Sequence, residues 1–414
     1  MQGERREASY PADGKMPLPS STLRATWIAS AFNLDWPSAA SSAIQDPVER
    51  VRQQLLELDR IIVESLSLGL TCLVFQVKPC ADALYRSNLL PWSPVLARQH
   101  GGGPGFDPLA ELLARAHAAG LQVHAWLNPY RVSMNVLPAT IDMLRQVPEG
   151  SPASVFVQHP EWIREAGGRL VLDPGEPGVI DWLVAVVQEL AERYAVDGIQ
   201  FDDYFYAETP ASPLADGPTF ARHGRGFRDK ADWRRDNTLR MVTAVRDVLR
   251  VSAPGVRFGI SPAGVWRNRS DDPQGSETQA GAPNHDVAFA DTRRWVKEGL
   301  IDYIVPQIYW PFARSVARYD VILRWWADTA RGTGVDVYAG MALYKVGTDL
   351  PAEPDWQVEE GVPEFTRQLD LNDALPEVGG CMMFRHTLFR QVEKQAVRRM
   401  LQQRWATRDA GGRP

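Results

Sequence analysis

The sequence predicts an α/β protein of the (β/α)8 TIM barrel class, with long loops on the carboxyl face of the barrel. Two observations carry this reading. Eight short apolar stretches recur along the 414 residues with helical segments between them. Four of the eight alternate apolar and polar residues and end in a polar tip, which is where a barrel builds its site. The rival, a doubly wound open sheet, needs a phosphate-binding glycine turn after an early strand, and none is present.

The elements follow in order. A first strand is expected over 25–30 and a helix over 47–68. In the second strand, 73–78, Leu73, Phe75 and Val77 share one face, and Gln76 and Lys78 share the other, because strand side chains alternate. A helix over 108–119 leads to the third strand, 123–128, with Val123, Ala125 and Leu127 outward and His124, Trp126 and Asn128 inward. After a helix over 179–194, the fourth strand runs from Val196 into Asp202-Asp203-Tyr204-Phe205-Tyr206. Its parity sets Ile199 and Phe201 against Gln200, Asp202 and Tyr204. A helix over 236–251, a strand over 258–261 and a helix over 291–298 come next. The sixth strand, 304–309, turns Gln307 and Tyr309 inward. A helix over 319–331 and strands over 337–341 and 380–384 complete the set. The long irregular stretches, at about 129–178, 208–233 and 263–285, all rise from the catalytic face and would wall a groove.

Composition agrees with one well-cored domain: 44% of residues are hydrophobic, 23% are charged, and the formal net charge is −6. That charge argues against nucleic acid as a partner, and no stretch is long and apolar enough to span a membrane. The folded unit is expected over 22–405, with unstructured tails at 1–21 and 406–414. The opening residues lack the apolar core of a secretory signal, so the chain reads either as cytoplasmic or as starting downstream of a removed leader. Cys72, Cys80 and Cys381 lack zinc-ligand spacing and read as free thiols. The seven His residues show no ligand spacing, so neither a metal nor a cofactor is expected. The glycine run 101–105 is a flexible loop, since no Lys-Ser or Lys-Thr follows it.

Several motifs together resemble a known family. They are Arg24-Ala25-Thr26-Trp27-Ile28 with Asn33-Leu34-Asp35-Trp36-Pro37-Ser38; Asp82-Ala83-Leu84-Tyr85; Pro91-Trp92-Ser93; His124-Ala125-Trp126-Leu127-Asn128-Pro129-Tyr130-Arg131; and the fourth-strand run from Asp197 to Tyr206. Further along come Phe258-Gly259-Ile260-Ser261-Pro262, Trp266-Arg267-Asn268, and the run from Asp302 to Trp310. These are similar to the glycosyl-hydrolase-like family ten and span nearly the whole chain. The resemblance implies a TIM barrel acting on glycans, in some members peptidoglycan strands, and an exported or cell-envelope protein. Lys78 stands where the family usually has arginine, and Ala207 and Ala263 where it commonly has Pro and Phe. A local likeness to the family-eighteen chitinases covers Asp197 to Tyr204, with Gln200 and Tyr204 departing from the Asp-x-x-Asp-x-Asp-x-Glu pattern. Tyr204 occupies the position of their acid.

Glycoside hydrolysis ordinarily uses two carboxyl groups flanking the scissile bond. Just beyond the strand ends only Asp35, Asp82, Asp202 and Asp203 offer one. Two schemes remain. Asp202 pairs with Asp203, Asp35 or Asp82; or the substrate's own 2-acetamido group attacks, oriented by Asp202, with Asp203 as acid and Tyr309 donating a hydrogen bond. The second is favoured by the shortage of carboxylates on the later strands. Expected substrate contacts are Asp35, Trp36, Lys78, Asp82, Tyr85, Asn128, Tyr130, Arg131, Tyr204, Trp266, Arg267, Gln307, Trp310 and Tyr344, with Trp36, Trp266 and Trp310 able to stack on pyranose faces. His124 and Trp126 read as core filling. The expected function is hydrolysis, without a metal, of a polysaccharide with N-acetylated amino sugars, most plausibly peptide-poor peptidoglycan glycan. The alternative is a carbohydrate-binding barrel that does not cleave. A sugar-phosphate enzyme is disfavoured because no glycine-rich turn follows the seventh and eighth strands.

Overall fold

In the computed structural model, residues 22–411 are described apart from 148, 207, 208 and 210. The expected tail at 1–21, Ala207 and residues 412–414 therefore lie outside the described residues. Eight parallel strands close into a barrel: β1 Leu23–Ile28, β2 Cys72–Lys78, β3 Gln122–Leu127, β4 Gly198–Phe201, β5 Arg257–Ile260, β6 Tyr303–Ile304, β7 Asp336–Met341 and β8 Val378–Met383. Each pairs with its sequence neighbours, and β1 meets β8 through Leu23 opposite Gly380. The main outer helices are α1 Pro47–Ser67, α2 Pro108–Ala118, α3 Pro177–Arg193, α4 Lys230–Ser252, α5 Thr292–Lys297, α6 Tyr319–Ala330, α7 Val362–Ala374 and α8 Gln395–Gly411.

Local chemistry explains the boundaries. At the starts of α1 and α2 an Asp-Pro pair combines a side-chain cap with a residue that needs no N–H partner: Asp46 accepts from Glu49 N and Asp107 from Ala110 N. Gly69 and Gly120 follow these helices at φ of 69° and 75°, a left-handed turn that glycine makes without steric penalty. The sixth strand is shorter than expected. Pro306 cannot donate to the ladder, so regular pairing stops at Ile304 and Gln307 forms only isolated bridges to Ala263 and Gly340.

Strand parity places the layers as expected. Leu73, Phe75, Val77, Ile199, Phe201, Ile304 and Ile308 face the helices, in the main core. The barrel interior holds Leu23, Ala25, Trp27, Cys72, Val74, Trp126, Tyr303, Val305, Tyr338 and Met382. Glycine makes room for its large members: a Cβ on Gly259 would lie 2.1 Å from the Tyr303 ring, and one on Gly198 2.8 Å from His124. His124 Nδ1 and the Tyr303 hydroxyl are 2.8 Å apart, so the interior polar atoms find partners. The three cysteines are buried and form no disulfide with one another.

Three expectations need correction. The stretch after β3 is not irregular throughout: it contains the helix Pro138–Leu144 and an antiparallel hairpin, Ile163–Ala166 with Arg169–Leu172. In the stretch after β4, Gly217–His223 is helical and α4 starts six residues before 236. At the other end, α8 runs to Gly411 rather than stopping at 405. Leu401 and Trp405 are buried, and Arg404 pairs with Asp370 and Asp373 on α7, which anchors the helix as far as 405. Among the described residues no helix is long and apolar enough to cross a membrane.

Candidate active site

The site is built at the carboxyl end of β4, where Asp202 leaves the strand facing inward. Its carboxylate is buried and accepts from Trp126 Nε1 at 3.2 Å, from Asn128 Nδ2 at 3.0 and 3.2 Å, and from Tyr204 N at 3.4 Å. Trp126 is therefore more than core filling: its indole N–H holds the carboxylate. Asn128 is braced in turn by Lys78, a fully buried lysine whose Nζ donates to the carbonyls of Asn128 (2.8 Å) and Pro129 (3.2 Å). Burial lowers this ammonium to about 8, against the opposing fields of Cys80, Asp82 and Asp202.

Burial pushes the carboxyls of both Asp202 and Asp203 above the usual range. At Asp202 the charge of Arg131 and the donors just named oppose that push. Asp203 is raised further by the charge of Asp202 and reaches about 7, with Gln307 alongside opposing the rise. The donors and Arg131 favour the charge on Asp202, and that charge favours a proton on Asp203 up towards neutral pH, the asymmetry that acid–base chemistry needs. Tyr309 stands near Asp203. Burial, with Tyr344 and Asp203 adding to it, holds its hydroxyl well above the normal range, so it remains a donor. Tyr309 packs edge-on to Tyr344 with ring centroids 5.5 Å apart, and Tyr344 is exposed. Gln307 donates to Ser261 O at 2.8 Å. Trp310 is half-buried against Gly264, where a Cβ would come within 3.0 Å of its ring.

Other expected residues lie elsewhere. Trp36 is wholly buried between barrel and helices, donating to Gln54 O on α1 and packing on Phe75. Tyr85 packs edge-on to Tyr194 behind the barrel, and Tyr130 is fully buried. Trp266 is buried, stacked on Trp325 and hydrogen-bonded to Asp291. None of these four presents a ring face to a ligand. Past a strand end parity no longer says which way a ring points, and the large apolar area of an aromatic draws it into the core. Arg267 is engaged by Asp272 and Asp286. Asp35 is a brace: one oxygen accepts from Ala29 N and the other from Arg385 and Thr387, tying the tips of β1 and β8 together. Asp82 is buried, and desolvation pushes it up to about 6.

Three loops meet beside Asp203 around a cavity of about 250 Å³. The hairpin contributes Arg169, the loop after β4 contributes Tyr204 and Tyr206, and the loop after β5 contributes Ala263 and Asn284. Of these, Arg169, Tyr206 and Asn284 were not expected from the sequence. Arg169 belongs to a hairpin whose register shows no periodic signal, and Asn284 lies 23 positions past Ser261 at the end of the fifth strand. Arg131 lies over the Tyr204 ring at 4.5 Å and Arg169 over the same ring at 5.6 Å. Among the described residues, no group of three or more His, Cys, Asp or Glu side chains is arranged to hold a metal ion.

A closed parallel barrel with a coupled carboxyl pair at one strand tip, walled by loops of the same face, places this chain among the TIM barrels that present their residues for chemistry at the strand ends. Residues 22–358 match the family described as glycosyl hydrolase-like 10, and the chain belongs to that family. It is 49% identical to glycosyl hydrolase DigH of Escherichia coli K12 over 401 residues, covering 96% of this chain and 91% of the relative. It is 39% identical to glycosyl hydrolase YngK of Bacillus subtilis, covering 87% and 68%. Among solved structures, an endo-1,4-beta-mannanase from Rhizomucor miehei aligns with a TM-score of 0.51 at 9% identity, covering 90% of this chain and 88% of that one. An alpha-L-fucosidase from Paenibacillus thiaminolyticus aligns with a TM-score of 0.50 at 13% identity, covering 85% and 46%. Both similarities concern the fold alone.

Proposed function

We propose that the protein is a glycoside hydrolase acting on a glycan with N-acetylated amino sugars, with peptide-poor peptidoglycan strands as the substrate that suits it best. The observation that carries this reading is the division within the Asp202–Asp203 pair. A two-carboxylate mechanism needs acid and nucleophile, or acid and base, on opposite sides of the scissile bond. Of the other strand-end candidates, Asp35 is withdrawn as a fully bonded brace. Adjacent carboxyls on one strand tip suit substrate assistance. Protonated Asp203 gives its proton to the leaving oxygen. Asp202, ionised, accepts from the acetamido N–H and turns the acetamido oxygen towards the anomeric carbon, where the C–O bond breaks as the new one forms. Asp203, now ionised, takes a proton from the water that opens the cyclic intermediate. Tyr309 donates its hydroxyl hydrogen to the developing ring. The two curated relatives bear the name glycosyl hydrolase, which supports the reaction class.

The test incubates the protein with peptide-free strands of N-acetylglucosamine and N-acetylmuramic acid, with the same strands de-N-acetylated, and with intact peptidoglycan, following products by mass spectrometry. Cleavage of the acetylated strand, with binding but no cleavage of the de-N-acetylated one, is expected. Equal cleavage of both would replace substrate assistance with a two-carboxylate mechanism. Binding of all three without cleavage would establish the non-catalytic, carbohydrate-binding barrel instead.

A further inference from the structure

The mouth of the site carries two guanidinium groups with no carboxylate at ion-pair distance among the described residues, of which Arg131 lies within the field of Asp202 and Asp203. Arg131, only 6% exposed, reaches the protein through a long donation to Pro79 O at 3.4 Å and through the face of Tyr204. Arg169, across the same ring, lines the cavity that opens beside Asp203. Neither has a carboxylate within ion-pair distance among the described residues. The contrast within one hairpin is informative. Arg164, on the other strand, is neutralised by Asp173 at 3.2 Å and Glu176 at 3.5 Å, and neighbouring Arg234 by Asp216 at 2.7 Å. A half-buried guanidinium that lines a cavity, with no carboxylate at ion-pair distance among the described residues, is arranged to receive an anion.

We propose that Arg169, with Arg131 behind it, binds a free carboxylate carried on a ring substituent of the substrate, and that the enzyme thereby distinguishes peptide-free from peptide-bearing glycan. This rests on the function proposed above. In a strand of N-acetylglucosamine and N-acetylmuramic acid that carboxylate is the lactyl group of the muramic ring. When a stem peptide is attached, the same carboxyl is an amide. It then has no charge for a planar fork to grip, and the peptide chain must find a way out of a cavity of about 250 Å³. The preference for peptide-free glycan would then come from recognition of the carboxylate as well as from crowding.

The experiment compares peptide-free strands with the same strands after the lactyl carboxyl has been reduced to a primary alcohol. Binding is measured in an Asp203→Asn background, so that the outcome does not depend on cleavage, and cleavage is measured separately with active protein. The native strand should bind at least about tenfold more tightly than the reduced one, as expected for a charge-assisted pair. Arg169→Gln should abolish that difference by weakening the native strand alone, and Arg169→Lys should restore part of it. Ala263→Phe, which fills the cavity from its other wall, should weaken the native strand while leaving Arg169 in place. Equal binding of the two strands by the parent protein would overturn the inference, as would an Arg169→Gln effect of the same size on both. If the carboxylate preference is found but active protein cleaves neither strand, the recognition stands and the hydrolase reading fails.

Discussion

The two ends of the barrel treat charge in opposite ways. At the amino ends of the strands every charge named here meets its complement. Arg257 donates to Asp336 and to the Tyr338 hydroxyl, each at 2.6 Å. Asp302 accepts from Phe258 N at 2.8 Å, and Asp197 accepts from Val123 N at 2.8 Å beside His117. At the carboxyl ends, Lys78 is buried against two carbonyls, Asp82 has a buried oxygen with no partner, and Asp203 is raised to about 7. Arg169 lines a cavity. The lower charges secure the sheet, whereas at the upper end Asp203 and Arg169 lie where a substrate would complete them, beside the fully bonded Asp35.

Substitutions at the two ends should separate activity from stability. The largest effect belongs to the upper end. Asp202→Asn and Asp203→Asn should each lower turnover on peptide-free glycan by about 100-fold or more, the loss expected for a general acid or an orienting carboxylate, with the fold retained. Release of soluble sugars, read beside circular dichroism, checks this, and wild-type turnover in either variant would remove that residue from the mechanism. Below the site the expectation is reversed. Gly259→Ala drives a methyl into the Tyr303 ring, and overpacking of this kind destabilises by about 1–3 kcal/mol. Urea titration should show the loss, while activity per folded molecule stays unchanged. Arg257→Met leaves Asp336 without its cation at a partly exposed position and should destabilise by about 1 kcal/mol.

The same contrast explains what could be read from the sequence. Parity works while the chain is a strand. It placed Lys78, Asn128, Asp202 and Gln307 on the inner side and Phe201 and Ile308 outside, and the structure agrees. Once the chain leaves the sheet, periodicity carries no direction, so Trp36, Tyr85, Tyr130 and Trp266 looked like ligand contacts and proved to be packing. Arg169 went unnoticed for the same reason: its place depends on how a hairpin folds over the barrel mouth.

The smallest effect concerns pH. Because the folded environment raises Asp203 from an unfolded value of about 4 towards 7, its ionisation opposes folding. Stability linked to it is fully present below about pH 4 and is lost as pH rises through 7. Asp203→Asn removes that loss. The variant should therefore be more stable than the parent at pH 8, by about 1 kcal/mol once solvent screening of this partly exposed group is allowed for, and not at pH 4. Thermal melts at the two pH values decide this.

The central claim is that the upper end holds a proton on Asp203 for use in catalysis. The pH dependence of kcat/KM on peptide-free glycan tests it most directly, since this quantity reports the ionisations of the free enzyme. Activity should fall as pH rises through about 7, where Asp203 loses its proton. Activity constant from pH 6 to 9, or already lost above pH 4 to 5, would contradict it.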